Sequence, residues 1–152
     1  SVFLGLSVHE NVALAVRRTF DGEDSAFEEK VHAALVRVGL DDRARQIAGD
    51  LSYGHQRLLE IAMGLAQDPK LFILDEPTQG LAESEIANFI RLIMSLAGET
   101  TILLIEHNMK VVMEAADFIT VLDQGQILAT GTPTQISNNS AVQAAYLGKS
   151  DA

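Results

Sequence analysis

Asp75 and Glu76 follow an unbroken apolar run, Leu71-Phe72-Ile73-Leu74, and precede Pro77. In an open α/β sheet the end of such a run borders the ligand crevice. One carboxylate there can hold Mg²⁺, directly or through a water, and a second can orient or deprotonate an attacking water. A solvated Asp-Glu-Pro turn would be written the same way. Ser52-Tyr53-Gly54-His55-Gln56 lies just before an amphipathic helical pattern. Its hydroxyl and backbone N–H groups would sit at the positive end of a helix dipole, where an anion is favoured. Ordinary N-capping by Ser52 uses the same geometry. His107 follows the apolar run Thr101 to Ile105 and precedes a helix that Asn108 could cap, a setting that suits a structural histidine as well as a catalytic one. His9, His32 and His55 show no pairing that suggests a metal, so any metal is expected on oxygen ligands.

Bulk properties narrow the classes. At 152 residues and 47% apolar content the chain can bury one sizeable core. A net charge of −10 excludes the basic grip that nucleic acid requires, so no nucleic-acid partner is expected. Without cysteine there is no disulfide or thiolate-metal chemistry. No apolar run approaches the roughly 18 residues of a membrane span, and no basic flank and apolar block mark the N-terminus, so a soluble, non-exported chain is expected. No stretch fits the phosphate-cradling loop G-x-x-x-x-G-K-[ST]. Gly148-Lys149-Ser150 comes nearest, but Gln143 stands where the first glycine would be. It is read as a frayed tail.

These residues need elements to hold them. Up to about Asp50 the signals are helical: Ser7-Val8-His9-Glu10 and Ser25-Ala26-Phe27-Glu28 read as capping boxes. Phe27, Val31, Ala34, Leu35 and Val38 make one apolar face that Gly39 ends, and Asp21 to Asp24 reads as a solvated connection. From Leu51 onward, helices alternate with short apolar runs at Leu71–Leu74, Thr101–Ile105 and Phe118–Leu122. Such runs read as strands buried on both faces of a parallel sheet, an α/β class. Two helix faces lie between them. Leu58, Ile61, Ala62, Leu65 and Ala66 form one that stops before Pro69, and Ile86, Phe89, Ile90, Ile93 and Ala97 form one that stops at Gly98. Asp123-Gln124-Gly125-Gln126 reads as a hairpin turn into Ile127–Ala129, with short helices after Pro133.

In this order, Leu51–Gln56, Leu71–Glu76 and Ile105-Glu106-His107 resemble the signature segment, the Walker B strand with its following glutamate, and the switch histidine of ABC transporter ATP-binding subunits. The resemblance runs along essentially the whole chain and is to the C-terminal portion of such a subunit, without Walker A. Against the family's L-S-G-G-Q, Tyr53 stands at the first glycine and His55 at the glutamine; Ala82 stands where many relatives have an acidic D-loop residue. That last departure bears on cross-subunit coupling. Tyr53 with Gln56-Arg57-Leu58-Leu59-Glu60-Ile61, Glu106-His107-Asn108-Met109 and Ala145-Tyr146-Leu147-Gly148 is similar to importers of branched-chain amino acids, or of urea.

The resemblance implies an incomplete P-loop-NTPase-type sheet with a helical subdomain at 1–67, carrying the signature segment 51–56, and a catalytic-core remainder at 68–152. It implies a head-to-tail dimer with a second ATPase subunit, each ATP lying between the phosphate loop of one subunit and the signature segment of the other. Ser52, Tyr53, Gly54, His55 and Gln56 would then bind nucleotide, with Ser52, Gly54 and His55 on the γ-phosphate. Asp75 would support Mg²⁺, Glu76 would polarise the attacking water, and His107 would sense or stabilise the γ-phosphate. The helical lobe would dock on transmembrane permease subunits, giving a cytoplasmic protein peripheral to the inner face of the membrane. The glutamine loop would lie just upstream of Ser1.

The family's phosphate-loop strand belongs between the runs Thr101–Ile105 and Phe118–Leu122. Without it two strand edges lack partners, and the isolated chain is expected to self-associate and to show negligible ATPase activity. Different readings are a P-loop-less binding or scaffolding module, and an ABC ATPase for urea import or lipid export. Keeping Asp75, Glu76 and His107 together favours the ATPase, because a scaffold has no chemical need of all three.

Overall fold

The computed structural model describes residues 1–147. The Gly148-Lys149-Ser150 tail lies outside them. The chain divides into two compact units, one from Ser1 to Ile105 and one starting at Glu106.

The first unit begins with α1 (Val8–Val16). Its capping box forms as the sequence predicts: the Ser7 N–H donates to Glu10 Oε2 at 2.7 Å, and the Glu10 N–H donates to Ser7 Oγ at 3.2 Å. Helical spacing turns Val8, Val12, Ala15 and Val16 into the core. Asn11 is fully buried beside them and ties the preceding segment down. Its Oδ1 accepts from the Phe3 N–H at 2.7 Å, and its Nδ2 donates to the carbonyls of Phe3 and Ser7 at 3.0 and 2.9 Å. The second box does not form. Helix α2 (Asp24–Val38) starts one residue before Ser25, with Glu23 as an N-cap that makes no side-chain bond. Asp24 joins the first turn, where its charge suits the dipole, so the acidic stretch supplies the helix start as well as the connection. All five predicted apolar residues of α2 are buried, and Gly39 closes it at φ 70°. Helix α3 (Tyr53–Leu65) packs against α1 and α2 to complete a three-helix lobe. Ion pairs Lys30–Asp68 and Arg37–Glu99 fasten α2 to segments that follow in the chain.

Strands β1 (Leu71–Asp75) and β2 (Thr101–Ile105) pair in parallel, Leu71 opposite Thr101 and Asp75 opposite Ile105, with α4 (Glu83–Ser95) between them in sequence. Both were expected to be buried on two faces; one face is covered. Leu74 is buried, and Phe72 packs against α3, where a side chain at Gly64 would come within 2.6 Å of its ring. Leu71, Ile73, Leu103 and Ile105, on the opposite face, remain 53, 56, 49 and 49% exposed. No layer among the described residues of this unit covers them.

The second unit holds α5 (Met109–Ala115), then β3 (Ile119–Asp123) and β4 (Gln126–Gly131), then α6 (Pro133–Ser137) and α7 (Ser140–Leu147). The third apolar run, read as a buried parallel strand, starts at Ile119 and pairs antiparallel with β4. Phe118 and Leu122 are 65 and 66% exposed. The predicted turn forms, with Gln124 and Gly125 both at positive φ, the hairpin geometry that matches strand twist. Ile119, Ile136 and Val142 make its core. Thr132 and Gln135 form a capping box ahead of Pro133. Among the described residues no helix is long and apolar enough to cross a membrane.

Candidate functional site

The first turn of α3 carries the Ser52 segment. Ser52 is the N-cap, so Tyr53 to Gln56 lie inside the helix rather than ahead of it. Ser52 Oγ accepts from the His55 N–H at 3.3 Å and lies 2.7 Å from His55 Nδ1. With Nδ1 protonated, the hydroxyl accepts from both His55 donors and keeps its own proton for a ligand. Gln56 faces elsewhere: its Nε2 donates to the carbonyls of Ala48 and Leu51 at 3.3 and 3.2 Å, bracing the turn that leads into the helix. Tyr53 is half-exposed, and its phenol oxygen accepts from Arg57 Nε at 3.2 Å. The Arg57 guanidinium also donates to Glu60 at 2.7 Å. The Glu60 hydrogen bond, with a smaller one from Tyr53, holds Arg57 above its ordinary pKa despite partial desolvation, so it stays charged.

The second segment leaves β1. Asp75 is its last residue and is exposed. Glu76 adopts φ 43°, a left-handed conformation that costs a non-glycine residue about 1 kcal/mol or more. Two backbone bonds hold it there: its N–H donates to the Ile105 carbonyl at 2.9 Å, and its carbonyl accepts from the Gln79 N–H at 3.2 Å. Strain of this kind concentrates at functional sites. Thr78 is buried two residues later, and Gly80 takes φ 77°.

The fold brings these segments together. Gly54, His55 and Arg57 from α3 line one recess with Pro77, Leu81 and Glu85. Asp75 lines the neighbouring recess with Arg57, Glu60 and Phe72. Among the described residues no group of three or more His, Cys, Asp or Glu gathers as a metal cage. Mg²⁺ does not need one, since it is held by one or two carboxylates together with phosphate oxygens and water, and the exposed Asp75 carboxylate at a parallel strand end fits that role.

His107 belongs to the second unit. It precedes α5, whose N-cap is Asn108 as the sequence predicts, accepting from the Lys110 and Val111 N–H groups at 3.1 and 3.4 Å. Glu106 Oε2 accepts from the N–H groups of His107 and Asn108 at 3.1 and 3.2 Å, which fixes the backbone that presents the imidazole.

Sequence reasoning missed Glu85 and Gly80 as neighbours of the Ser52 segment. Glu85 stands three residues after Ala82, the spacing of a capping box, but alanine at the cap position hides the pattern.

Comparisons with known proteins show which family the chain resembles. The family model "ABC transporter" matches residues 1–79, and the model "Branched-chain amino acid ATP-binding cassette transporter" matches 126–152. The high-affinity branched-chain amino acid transport ATP-binding protein LivG of Escherichia coli K12 is 49% identical over 117 residues, covering 76% of this chain and 46% of that protein. BraF of Pseudomonas aeruginosa, of the same description, is 46% identical over 129 residues, covering 84% of this chain and 50% of that protein. The chain therefore spans about half the length of the curated relatives it matches. The solved structure of cbiO1 from Clostridium perfringens, part of the ABC transporter complex cbiONQ, superposes with a TM-score of 0.81 at 25% identity over 95% of this chain and 59% of that chain. By these matches the chain belongs to the ABC transporter ATP-binding protein family.

Proposed function

We propose that these residues are the signature and catalytic portion of an ATP-hydrolysing subunit that powers an ABC importer of branched-chain amino acids. The observation that carries the reading is the strained Glu76 beside Asp75 at the end of β1, on the same unit as the Ser52 segment. The match of 126–152 to the branched-chain family model supports that substrate class over urea import or lipid export.

On this reading residues 1–67 act as the helical subdomain that docks on transmembrane permease subunits, and 68–152 as part of the catalytic core. The protein works in the cytoplasm, peripheral to the membrane's inner face, as a head-to-tail dimer with a second ATPase subunit. Ser52 Oγ–H and the Gly54 N–H donate to the γ-phosphate of ATP held by that subunit, with the His55 side chain beside them and the dipole of α3 helping. Asp75 would hold Mg²⁺, which when bound would neutralise charge on the phosphates. The Glu76 carboxylate accepts a proton from the attacking water and so aligns it with phosphorus. His107 donates to the γ-phosphate oxygens as their charge grows. These 152 residues hold no stretch that fits the phosphate loop, and by themselves they are expected to turn over little ATP.

Turnover in the assembled transporter tests the assignment. Glu76→Gln keeps the shape and removes the base; a loss of about 100-fold or more is expected, the range for a positioned general base. Asp75→Asn should lower the apparent Mg²⁺ affinity. Turnover within twofold of the parent in Glu76→Gln would remove the catalytic role.

A further inference from the structure

We propose that Glu85 is a positioning residue whose carboxylate joins the first turn of α3 to the first turn of α4, so that the Ser52 segment and the Asp75-Glu76 turn are held as one body. The proposal rests on the ATPase reading for its consequence and on geometry for the joint itself. Gly54 is buried, and a methyl group there would lie 2.6 Å from Glu85 Cδ and 3.0 Å from Oε2. The helix and the carboxylate are therefore in direct contact, and a side chain at position 54 would displace the carboxylate. Glu85 Oε2 also accepts from the Ala82 N–H at 2.8 Å. Ala82 has no side-chain oxygen to return the bond, so the start of α4 depends on Glu85 for its side-chain cap. The negative charge suits the N-termini of both helices.

A second contact beside it joins the same two segments. Gly80, at φ 77°, faces the Tyr53 ring, and a side chain there would come within 3.1 Å of the ring carbon Cε1. Arg57 holds that ring by its bond to the phenol oxygen. Tyr53, which replaces the family's glycine, thus acquires a role of its own in the joint.

Amide hydrogen exchange at Ala82 in the 152-residue chain tests the contact without any ATP. Glu85→Ala should speed exchange roughly tenfold, the loss of one charge-assisted hydrogen bond, and Glu85→Gln should recover most of the protection. Gly54→Ala should speed it similarly by pushing the carboxylate away, and should add nothing once Glu85→Ala is present. Unchanged exchange in Glu85→Ala, or an equal effect of Gly54→Ala in both backgrounds, overturns the joint. In the assembled transporter, Glu85→Ala should raise KM for ATP roughly fivefold with kcat within twofold, and Glu85→Gln should restore it. An unchanged KM overturns the positioning role. A transporter whose turnover survives Glu76→Gln refutes the ATPase reading instead, and leaves the exchange result standing.

Discussion

Glu76 carries the site's backbone strain, and substitution separates that strain from its chemistry. Glu76→Ala and Glu76→Gly both remove the carboxylate, but only glycine is at ease at φ 43°. The glycine variant should be the more stable of the two by about 1 kcal/mol in urea unfolding, with both equally inactive. Equal stabilities would mean the left-handed turn is not enforced. Asn11 is a residue of the opposite kind, wholly structural. Asn11→Ala leaves the Phe3 N–H without its acceptor and takes one of two donors from each of the Phe3 and Ser7 carbonyls, and should cost about 1–2 kcal/mol. Glu10 gives the pH sign. Bonds from the Ser7 N–H and then the Ser7 hydroxyl lower its pKa from the ordinary 4.5. A carboxyl lowered on folding stabilises the fold above its unfolded pKa, and that contribution is lost as pH falls through the folded value. Melting curves below about pH 4.5 should therefore show a decline that is shallower in Glu10→Gln. Ser52, Asn108 and the Ser7 box were legible in the sequence because a cap and its partner lie within three residues. Asn11 was not, because it answers the Phe3 N–H eight residues back, and Glu85 was not, because alanine at the cap position hides its box and Gly54 lies on another helix.

Among the elements, helices were read more faithfully than sheet faces, for a physical reason. The α2 face repeats every three or four residues, and its five apolar positions are those the core takes. Its end was equally legible: Gly39 sits at φ 70° with open space where a side chain would be. Gly39→Ala should thus cost about 1 kcal/mol purely through backbone conformation, measured by thermal unfolding. Its start was misplaced at Ser25 because the acidic residues before it can enter the first turn themselves. The apolar runs of β1 and β2 identified strands, but a run without alternation cannot tell which face is covered. Nor can it tell pairing direction. The run near Phe118 looked like its neighbours, and only the adjoining Gln124-Gly125 turn explains its antiparallel partner.

At the scale of the whole molecule, the uncovered face of β1 and β2 and the unpaired edges govern behaviour. Two β1 residues and two β2 residues, all large and apolar, face solvent at about half exposure. Among the described residues, β2 pairs only with β1 and β3 only with β4. Exposed apolar faces and open edges associate, so light scattering at increasing concentration should report dimers or larger species. Ile73→Thr with Leu103→Thr should reduce that association while leaving the strand register intact. The order of the three motifs was fully legible in the sequence, since each is local. The spatial joining of the Ser52 and Glu76 segments on one unit was not, because it follows from packing α3 beside the turn after β1. On the proposed function, these residues carry the signature and catalytic part of an ATP site that a phosphate loop completes. Calorimetric titration of the 152-residue chain with ATP and Mg²⁺, against ATP without Mg²⁺, tests it most directly. No saturable heat is expected; saturable binding at micromolar ATP would show a nucleotide site assembled without that loop and overturn the reading.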